Sequence, residues 1–495
     1  MRIRIISTSS HKHAIQVVSK TGGNFILHKH FGTYKTDTEK ARLIDQAREY
    51  IQNYINQIDM FDDIPSANWQ LGDVEIINSQ PLYLYRLLAR VYDSLGFKGD
   101  SLIRDLVIAR VYQPASKRET SQILTDVFDR HHSLPTIYRH LKRALSKGLK
   151  DAYQKALISY AKNSLHDTLR LVFYDVTTLA FASQTKTTLK DFGYSKDHRH
   201  QDTQIVIGLV VNQQGFPLYF DVFSGNTFEG GTFIGVVKGI KKLLDNPDLA
   251  VVADAGMLSL KNMDELNKDN ILFVVGAKIP SLPDKMIDQI AKELGKKDKS
   301  STEVLYKNYR LLADYSTKRA NKDIHDLSKQ WEKAKMNVSN PAGITRRYRF
   351  LLGSKSTSYS LNTALKEKAE SIAGIKGYLT NTKLDTSTIT ERYHDLWKVE
   401  KAFRITKSDL EARPIFLRLD ETIKAHITIV FAGLAISKLL EIQTGESIHQ
   451  ILQTTSRIFT HTIQNKITKK ITTVETKFPK SDICGKLNEI YSLGY

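Results

Sequence analysis

The stretch "LRLVFYDVTTLAF", residues 169–181, contains the first strong signal for a buried β-strand in the core of the chain. Its β-branched and aromatic residues suit a strand that is covered on both faces. One carboxylate, Asp175, interrupts the apolar run. A carboxylate is costly to bury unless a hydrogen bond, an ion pair or a cation compensates it. The stretch therefore predicts either a structural ion pair or a functional site on a central strand.

The segments that follow predict a mixed sheet with crossover helices. Strands at 203–211 and 216–225 are joined by a turn. A helix, a short strand that ends at "ADAG" (253–256), a second helix and a strand at 270–279 come next. This β-β-β-α-β-α-β order is that of a ribonuclease-H-like core, in which three antiparallel strands precede parallel ones. We therefore predict an α/β fold with a ribonuclease-H-like mixed sheet and flanking helices.

Changes in sequence pattern divide the rest of the chain. The predicted parts are a small β-hairpin at 1–35, a helical domain at 36–165, the first part of the core at 166–279, a part-β insertion at 280–375, the second part of the core at 376–445 and a C-terminal tail region at 446–495. The insertion thus precedes the helix that carries Glu400. The apolar run at 425–442 is interrupted by His426 and Lys438, which favours a buried helix over a membrane span.

Composition narrows the class of partner. The 495 residues carry a formal net charge of +19, which favours a nucleic-acid partner, although a merely basic surface would have the same charge. The single cysteine, Cys484, excludes an intrachain disulfide framework and a cysteine-based zinc finger. The N-terminus has no apolar signal core. We expect a cytoplasmic protein that has no membrane partner.

A helix-turn-helix pattern occurs at residues 120–149, where Pro135 is expected to open the second helix. The second helix of such a motif can enter the major groove of DNA. Its candidate DNA contacts are Tyr138, Arg139, Lys142 and Arg143. A helical hairpin that only packs against other helices would have the same pattern.

Two further acids accompany Asp175. Asp254 follows a short hydrophobic strand, at the carboxyl end where open sheets bind their ligands. In the predicted strand order this strand neighbours that of Asp175, so the two aspartates are expected to face each other. Glu400 lies in "YHDLWKVEKAFRITKS" (393–408). If 390–411 is one helix, Tyr393 and Lys407 lie about 20° from Glu400 around the axis.

The same projection places Arg404 about 40° from Glu400, beside an apolar stripe of Leu396, Phe403 and Leu410 that can dock the helix on a sheet. Carboxylate oxygens are the ligands that Mg²⁺ and Mn²⁺ prefer. Two such ions can stabilise the attacking and the leaving oxygen of a phosphodiester. The basic side chains on the helix would then contact phosphates. A solvent-exposed charged helix face is the alternative.

Several motifs together resemble a known family. "FYDVTTL", "GYSKDHRHQDTQIVIGL", "VFSGNT", "VVADAGMLS" and "YHDLWKVEKAFRITKSDLEARPI" resemble bacterial insertion-sequence transposases of the DDE type, in the subgroup with a Tyr-x2-Arg-x3-Glu-x6-Lys signature. The resemblance covers about residues 165–440. It implies that Asp175, Asp254 and Glu400 are the catalytic and metal-binding acids. The signature arginine is replaced by Leu396, and Arg404 is the candidate substitute.

The resemblance also implies partners and a reaction. The DNA partner is double-stranded and comprises the terminal inverted repeats of the element and the target. The protein itself is expected to form a homodimer or larger complex. The reaction is cleavage followed by transfer of the 3′-hydroxyl ends, with Mg²⁺ or Mn²⁺ as the metal ion. The resemblance implies that the helical domain at 36–165 binds the element ends and that Tyr393 and Lys407 contact DNA, with Arg404 added from its spacing alone. Arg199 belongs to a run that the family shares, and it either contacts DNA or stabilises a loop. A catalytically inactive DNA-binding relative, or a nuclease that cuts without joining, is the alternative.

Overall fold

The computed structural model describes the chain except residues 9–12, 22–23, 63–73, 182, 195–200, 245, 247, 258, 340–347, 354–358, 413–416, 467–468, 470, 477–481 and 494–495; of residues 21, 24, 52–62 and 229 it describes the backbone. Arg199, one of the predicted DNA contacts, lies outside the described residues.

The elements before the predicted core are β1 (Arg2–Ser7), β2 (His13–Thr21), β3 (Asn24–Tyr34), α1 (Asp37–Asp62), β4 (Val74–Gln80), α2 (Leu82–Ser94), α3 (Ser101–Tyr112), α4 (Lys117–Phe128), α5 (Leu134–Ser146) and α6 (Leu149–Asn163). The first part of the core contains β5 (Leu171–Ala180), β6 (Gln204–Val211), β7 (Pro217–Ser224), α7 (Glu229–Leu244), β8 (Ala250–Ala253), α8 (Leu260–Lys268) and β9 (Leu272–Ala277).

The predicted insertion contributes α9 (Asp284–Leu294), β10 (Ser301–Tyr306), β11 (Tyr309–Tyr315), α10 (Thr317–Ser339), β12 (Leu351–Leu352), β13 (Ser360–Leu361), α11 (Thr363–Ser371) and the start of β14 (Ile375–Thr380). The remaining elements are α12 (Thr386–His394), α13 (Trp397–Arg404), α14 (Asp420–Thr444), α15 (Ile448–Thr455), β15 (Thr460–Asn465), β16 (Ile471–Glu475) and α16 (Asp482–Tyr491).

The chain divides into two compact units. The first comprises Met1–Asn78 and Thr462–Thr473, and the second Ser79–His461 and Val474–Tyr495. In the first unit, β1, β2 and β3 form an antiparallel sheet, so the predicted hairpin is present and carries one more strand. Ile15 and Val17 on one face of this sheet pack against Leu43 and Ala47 of α1.

The mixed sheet of the second unit has the order β10-β11-β14-β9-β8-β5-β6-β7. The strands β5, β6 and β7 pair antiparallel, whereas β5, β8 and β9 pair parallel, which is the order and direction predicted from the sequence. The insertion is not separate from this sheet, because β14, β11 and β10 continue it antiparallel beyond β9. Without them β9 would be an edge strand with unpaired backbone groups.

Helix α14 lies in the interior of the second unit, where it packs against α3, α5 and β7. By length and composition it could span a membrane, but 94% of its apolar window is buried inside the protein. Nearly every residue from Thr422 to Glu441 is buried, which explains why the helix is apolar on all sides. It therefore joins the helices before the core to the mixed sheet through one hydrophobic core.

The structure adds one strand to the region 36–165 and corrects one predicted helix. The added strand is β4, which pairs with β15 of the C-terminal region in a sheet of order β16-β15-β4. The stretch 390–411 is not one helix: α12 ends at His394, α13 begins at Trp397, and a π-helical turn follows at Ile405–Asp409. Pairing with residues far along the chain and packing on different strands produced these differences.

Candidate active site

Asp175 and Asp254 lie at the same level of two neighbouring parallel strands. Tyr174 of β5 is paired with Ala253 of β8, and each aspartate is the next residue along the chain. Residues at equivalent positions of adjacent strands point to the same face of a sheet. Asp175 is half-buried, whereas β8 ends before Asp254 and leaves that side chain exposed. The two strands are thus neighbours as predicted, and a direct approach of the two carboxylates stays a prediction.

Glu400 approaches the strands from α13, which packs on β5 and β6, whereas α12 packs on β8 and β9. The break between α12 and α13 allows each short helix to follow its own pair of strands. Leu396 in the break and Phe403 on α13 are buried, as is Leu410, so the predicted apolar stripe does dock on the core. The Glu400 side chain remains exposed.

Tyr393 connects α12 to one of the aspartates. Its hydroxyl donates a hydrogen bond to Oδ1 of Asp254, with 2.9 Å between the two oxygens. Burial, followed by the negative charge of Asp254, raises the pKa of the Tyr393 hydroxyl far above its ordinary value, so the hydroxyl keeps its proton and remains a donor. Gly276 on β9 leaves room for this hydroxyl, because a Cβ atom there would collide with it.

The neighbourhood of Tyr393 contains a lysine that the sequence did not single out. The Lys376 ammonium on β14 lies 4.5 Å from the centroid of the Tyr393 ring. Burial lowers the pKa of Lys376, while the charges of Asp254 and Glu400 act in the opposite direction. Both acids therefore lie within electrostatic reach of this ammonium. The lysine in "IKGYLT", an otherwise apolar strand just before α12, was the available signal.

An ion cluster holds α13 against α14. Glu441 Oε2 lies 3.0 Å from Lys401 Nζ and 2.9 Å from Lys438 Nζ, and both Lys438 and Glu441 are buried. Burial alone would raise the pKa of Glu441, but the two lysines outweigh it and lower that pKa below its ordinary value. The cluster fixes the helix that carries Glu400 to the core.

The donor set suits a hard divalent cation in its chemistry, because it consists of carboxylate oxygens. In the described part of the chain, however, no three His, Cys, Asp or Glu side chains lie at the spacing of a metal site. Asp175 and Asp254 follow the last paired residues of β5 and β8, and Glu400 lies on α13. The three acids do not form a closed cluster of ligands.

The residues at the family-signature positions, and the candidate substitute Arg404, differ in how far they are buried. Tyr393 is only 5% exposed and its hydroxyl is engaged by Asp254, so the structure gives it a partner within the protein rather than at a DNA surface. Leu396 is buried and occupies core space. Arg404 is exposed in the last turn of α13, and Lys407 lies in the π-helical turn, where the assumed 100° per residue does not apply.

The helix-turn-helix candidate is formed by α4 and α5, and Pro135 lies in the first turn of α5 as predicted. Ile137 and Leu141 of α5 are buried. The four candidate DNA contacts are all exposed; they are Tyr138, Arg139, Lys142 and Arg143. One of them, Lys142, lies 3.3 Å from Glu421 at the start of α14.

The transposase DDE domain family matches residues 167–436, which is more than half of the chain. The chain belongs to this family. The matched range contains Asp175, Asp254, the insertion, Glu400 and most of α14. A structure of a piggyBac transposase synaptic complex with hairpin DNA is similar at 9% identity and a TM-score of 0.41, over 76% of this chain and 79% of that one.

A second solved structure, the Argonaute of Marinitoga piezophila with a 5′-hydroxyl guide RNA, is similar at 10% identity and a TM-score of 0.21. That similarity covers 80% of this chain and 67% of the Argonaute chain. No curated protein matches the sequence of this transposase-family chain.

Proposed function

We propose that this chain is the DNA transposase of a bacterial insertion sequence, which binds the ends of its element, cleaves them and transfers their 3′-hydroxyl ends to target DNA in the cytoplasm. The observation that supports the proposal is the parallel pairing of β5 with β8 within a transposase DDE domain, because Asp175 and Asp254 directly follow the paired residues Tyr174 and Ala253. The β7-β6-β5-β8-β9 order supports a ribonuclease-H-like core, to which the insertion adds strands.

In this proposal, Asp175 and Asp254 hold a divalent cation, Mg²⁺ or alternatively Mn²⁺, and Glu400 completes the ligand set when DNA is bound. Ions bound in such a site lower the pKa of an attacking hydroxyl and stabilise the leaving oxygen of the phosphodiester. Tyr393 is a positioning residue: its hydroxyl holds Oδ1 of Asp254 in one orientation. Fixed ligand orientation of this kind raises affinity and activity in metal sites.

The DNA contacts in the proposal come from two places. Arg404 and Lys407 bind phosphates near the cleaved end, and the exposed face of α5 binds within the element end through Tyr138, Arg139, Lys142 and Arg143. Phosphate contacts position DNA, whereas base contacts specify its sequence. We propose a homodimer or larger complex on paired ends, since both ends must be processed together.

The test is metal-dependent cleavage of DNA that contains the borders of the element, with detection of joined products. The variant Asp254→Asn is expected to lose cleavage while it still binds the DNA. Its matched control is Asp264→Asn, because Asp264 also accepts a hydrogen bond from a tyrosine hydroxyl, that of Tyr309 at 2.7 Å, yet lies on α8 away from the strand pair.

Three outcomes distinguish the alternatives. Full cleavage by Asp254→Asn contradicts the proposed active site. Cleavage by the wild type without joined products identifies a nuclease. DNA binding without cleavage in the presence of Mg²⁺ or Mn²⁺ identifies a DNA-binding relative that has lost activity.

A further inference from the structure

Helix α1 packs on one face of the β1-β2-β3 sheet, and no other helix lies in the part of the first compact unit that the structure describes. The face that packs on α1 contains Ile15 and Val17, as described above. The strand pairing places a buried centre, Ala14 and Val18 of β2, on the opposite face. Around this centre lie Arg2 and Arg4 of β1, Gln16 and Lys20 of β2, and Phe25, Leu27 and His30 of β3. We call this set the open face.

The open face concentrates positive charge around one aromatic ring. The guanidinium carbons of Arg2 and Arg4 lie 4.9 Å and 4.5 Å from the centroid of Phe25, and Nζ of Lys20 lies 5.9 Å from it. Phe25 itself is 42% exposed. Like charges held this close repel each other unless an anion compensates them.

The sequence of this region offers no such anion. Residues 1–36 contain six lysines and arginines and no aspartate or glutamate, the first acid being Asp37. Glu39, at the start of α1, accepts hydrogen bonds from the backbone of Lys35 and Thr36. No acidic side chain within residues 1–36 is therefore available to neutralise the open face, which favours an anionic ligand there.

We propose that the open face binds duplex DNA, as a second DNA-binding surface in addition to α5; this rests on the proposed function of the chain. Strands of a small sheet can enter the major groove of DNA. The two register shifts in the pairing of β2 with β3 are β-bulges, which increase the local twist of a sheet.

The arrangement around Phe25 favours duplex over single-stranded DNA. Binding of a single strand usually depends on exposed aromatic rings on which bases stack. Here three cations already surround the ring of Phe25, so the ring supports groups that bind phosphates. Charged contacts with a duplex backbone, with Gln16 and His30 beside them, are the expected mode of binding.

The test compares two charge-matched triple variants of the full chain. The first replaces Arg2, Arg4 and Lys20 with glutamine, which retains side-chain length; the control replaces Lys40, Arg42 and Arg48 of α1 with glutamine. Binding to a random-sequence duplex oligonucleotide, and to one of its single strands, is measured by fluorescence anisotropy at several salt concentrations. Circular dichroism monitors folding.

Each phosphate contact contributes about 0.9 to the slope of log K against log salt. The open-face variant is therefore expected to bind duplex with a slope less steep by about 2.7, and the α1 variant with the wild-type slope. Equal slopes for both variants would refute the inference, as would a loss confined to single-stranded DNA.

A second variant, Arg2→Lys with Arg4→Lys, retains the charge and is expected to retain most of the duplex affinity. If the glutamine variant unfolds, this lysine variant still tests the inference, since loss of its affinity would contradict a charge-based surface. If the open face does not bind DNA, the wild-type chain still cleaves DNA. If the proposed function is wrong, the wild-type chain itself does not cleave DNA.

Discussion

Replacement of Tyr393 by phenylalanine removes one hydroxyl and leaves the packing of its ring in place. The ring contacts that of Tyr378, with 4.9 Å between centroids, and Lys376 lies over it; both contacts remain in the variant. What is lost is the hydrogen bond to Oδ1 of Asp254. Under the proposed function, Asp254 then becomes free to rotate away from the orientation that binds the cation.

The size of the effect follows from the environment of Asp254. A hydrogen bond to a charged group contributes about 1.5–3 kcal/mol. Because Asp254 is exposed, water can replace the lost donor, so the lower end of this range applies. About 1.5 kcal/mol corresponds to roughly a tenfold change in rate. We expect cleavage to slow about tenfold and the Mg²⁺ concentration for half-maximal rate to rise, while DNA binding stays unchanged.

The neighbouring tyrosine provides a matched control. Tyr378 donates its hydroxyl to Oδ1 of Asp314 at 2.6 Å, and its ring is also buried. Tyr378→Phe and Tyr393→Phe should each lower the free energy of unfolding by about 1.5 kcal/mol in urea denaturation. Only Tyr393→Phe should slow cleavage. Equal cleavage rates for the two variants, or an unchanged Mg²⁺ dependence in Tyr393→Phe, would refute the positioning role.

Three further predictions concern other parts of the structure. Gly276→Ala should slow cleavage at least as much as Tyr393→Phe does, because the added Cβ atom displaces the Tyr393 hydroxyl. The double variant should be little slower than either single variant, and an additive loss of rate would contradict this reasoning. Lys438→Met should lower the free energy of unfolding by roughly 3 kcal/mol in urea denaturation, because Glu441 stays buried with Lys401 as its one remaining partner in this cluster. The double variant Lys438→Met with Glu441→Leu should recover most of the lost stability. No recovery would argue against a buried ion pair. Asp385 caps α12, and hydrogen bonds from Ser387 and Thr388 lower its pKa to about 2 from 3.8, so its stabilising contribution is present above about pH 4 and is lost as the pH falls towards 2. Asp385→Asn should remove that part of the acid sensitivity in thermal unfolding, and an unchanged pH profile would exclude this role.

Local patterns in the sequence were sufficient to predict the strands and helices of the first part of the core, residues 166–279. The apolar runs at β5, β6, β7, β8 and β9 indicate buried strands whatever their partners are. The acids at 175 and 254 stand out because a charge within or beside such a run requires a reason. The order of elements then restricts the topology, since crossover connections between parallel strands follow a fixed hand.

The tertiary structure alone decided which groups meet. The hydrogen bond between Tyr393 and Asp254 joins residues 139 positions apart, and no local pattern records such a contact. The break between α12 and α13 arises because the two helices pack on different strands, which a projection along one ideal helix cannot represent. β14 joins the sheet beside β9 and thereby brings Lys376 to the same neighbourhood, because long-range strand pairing depends on the whole fold.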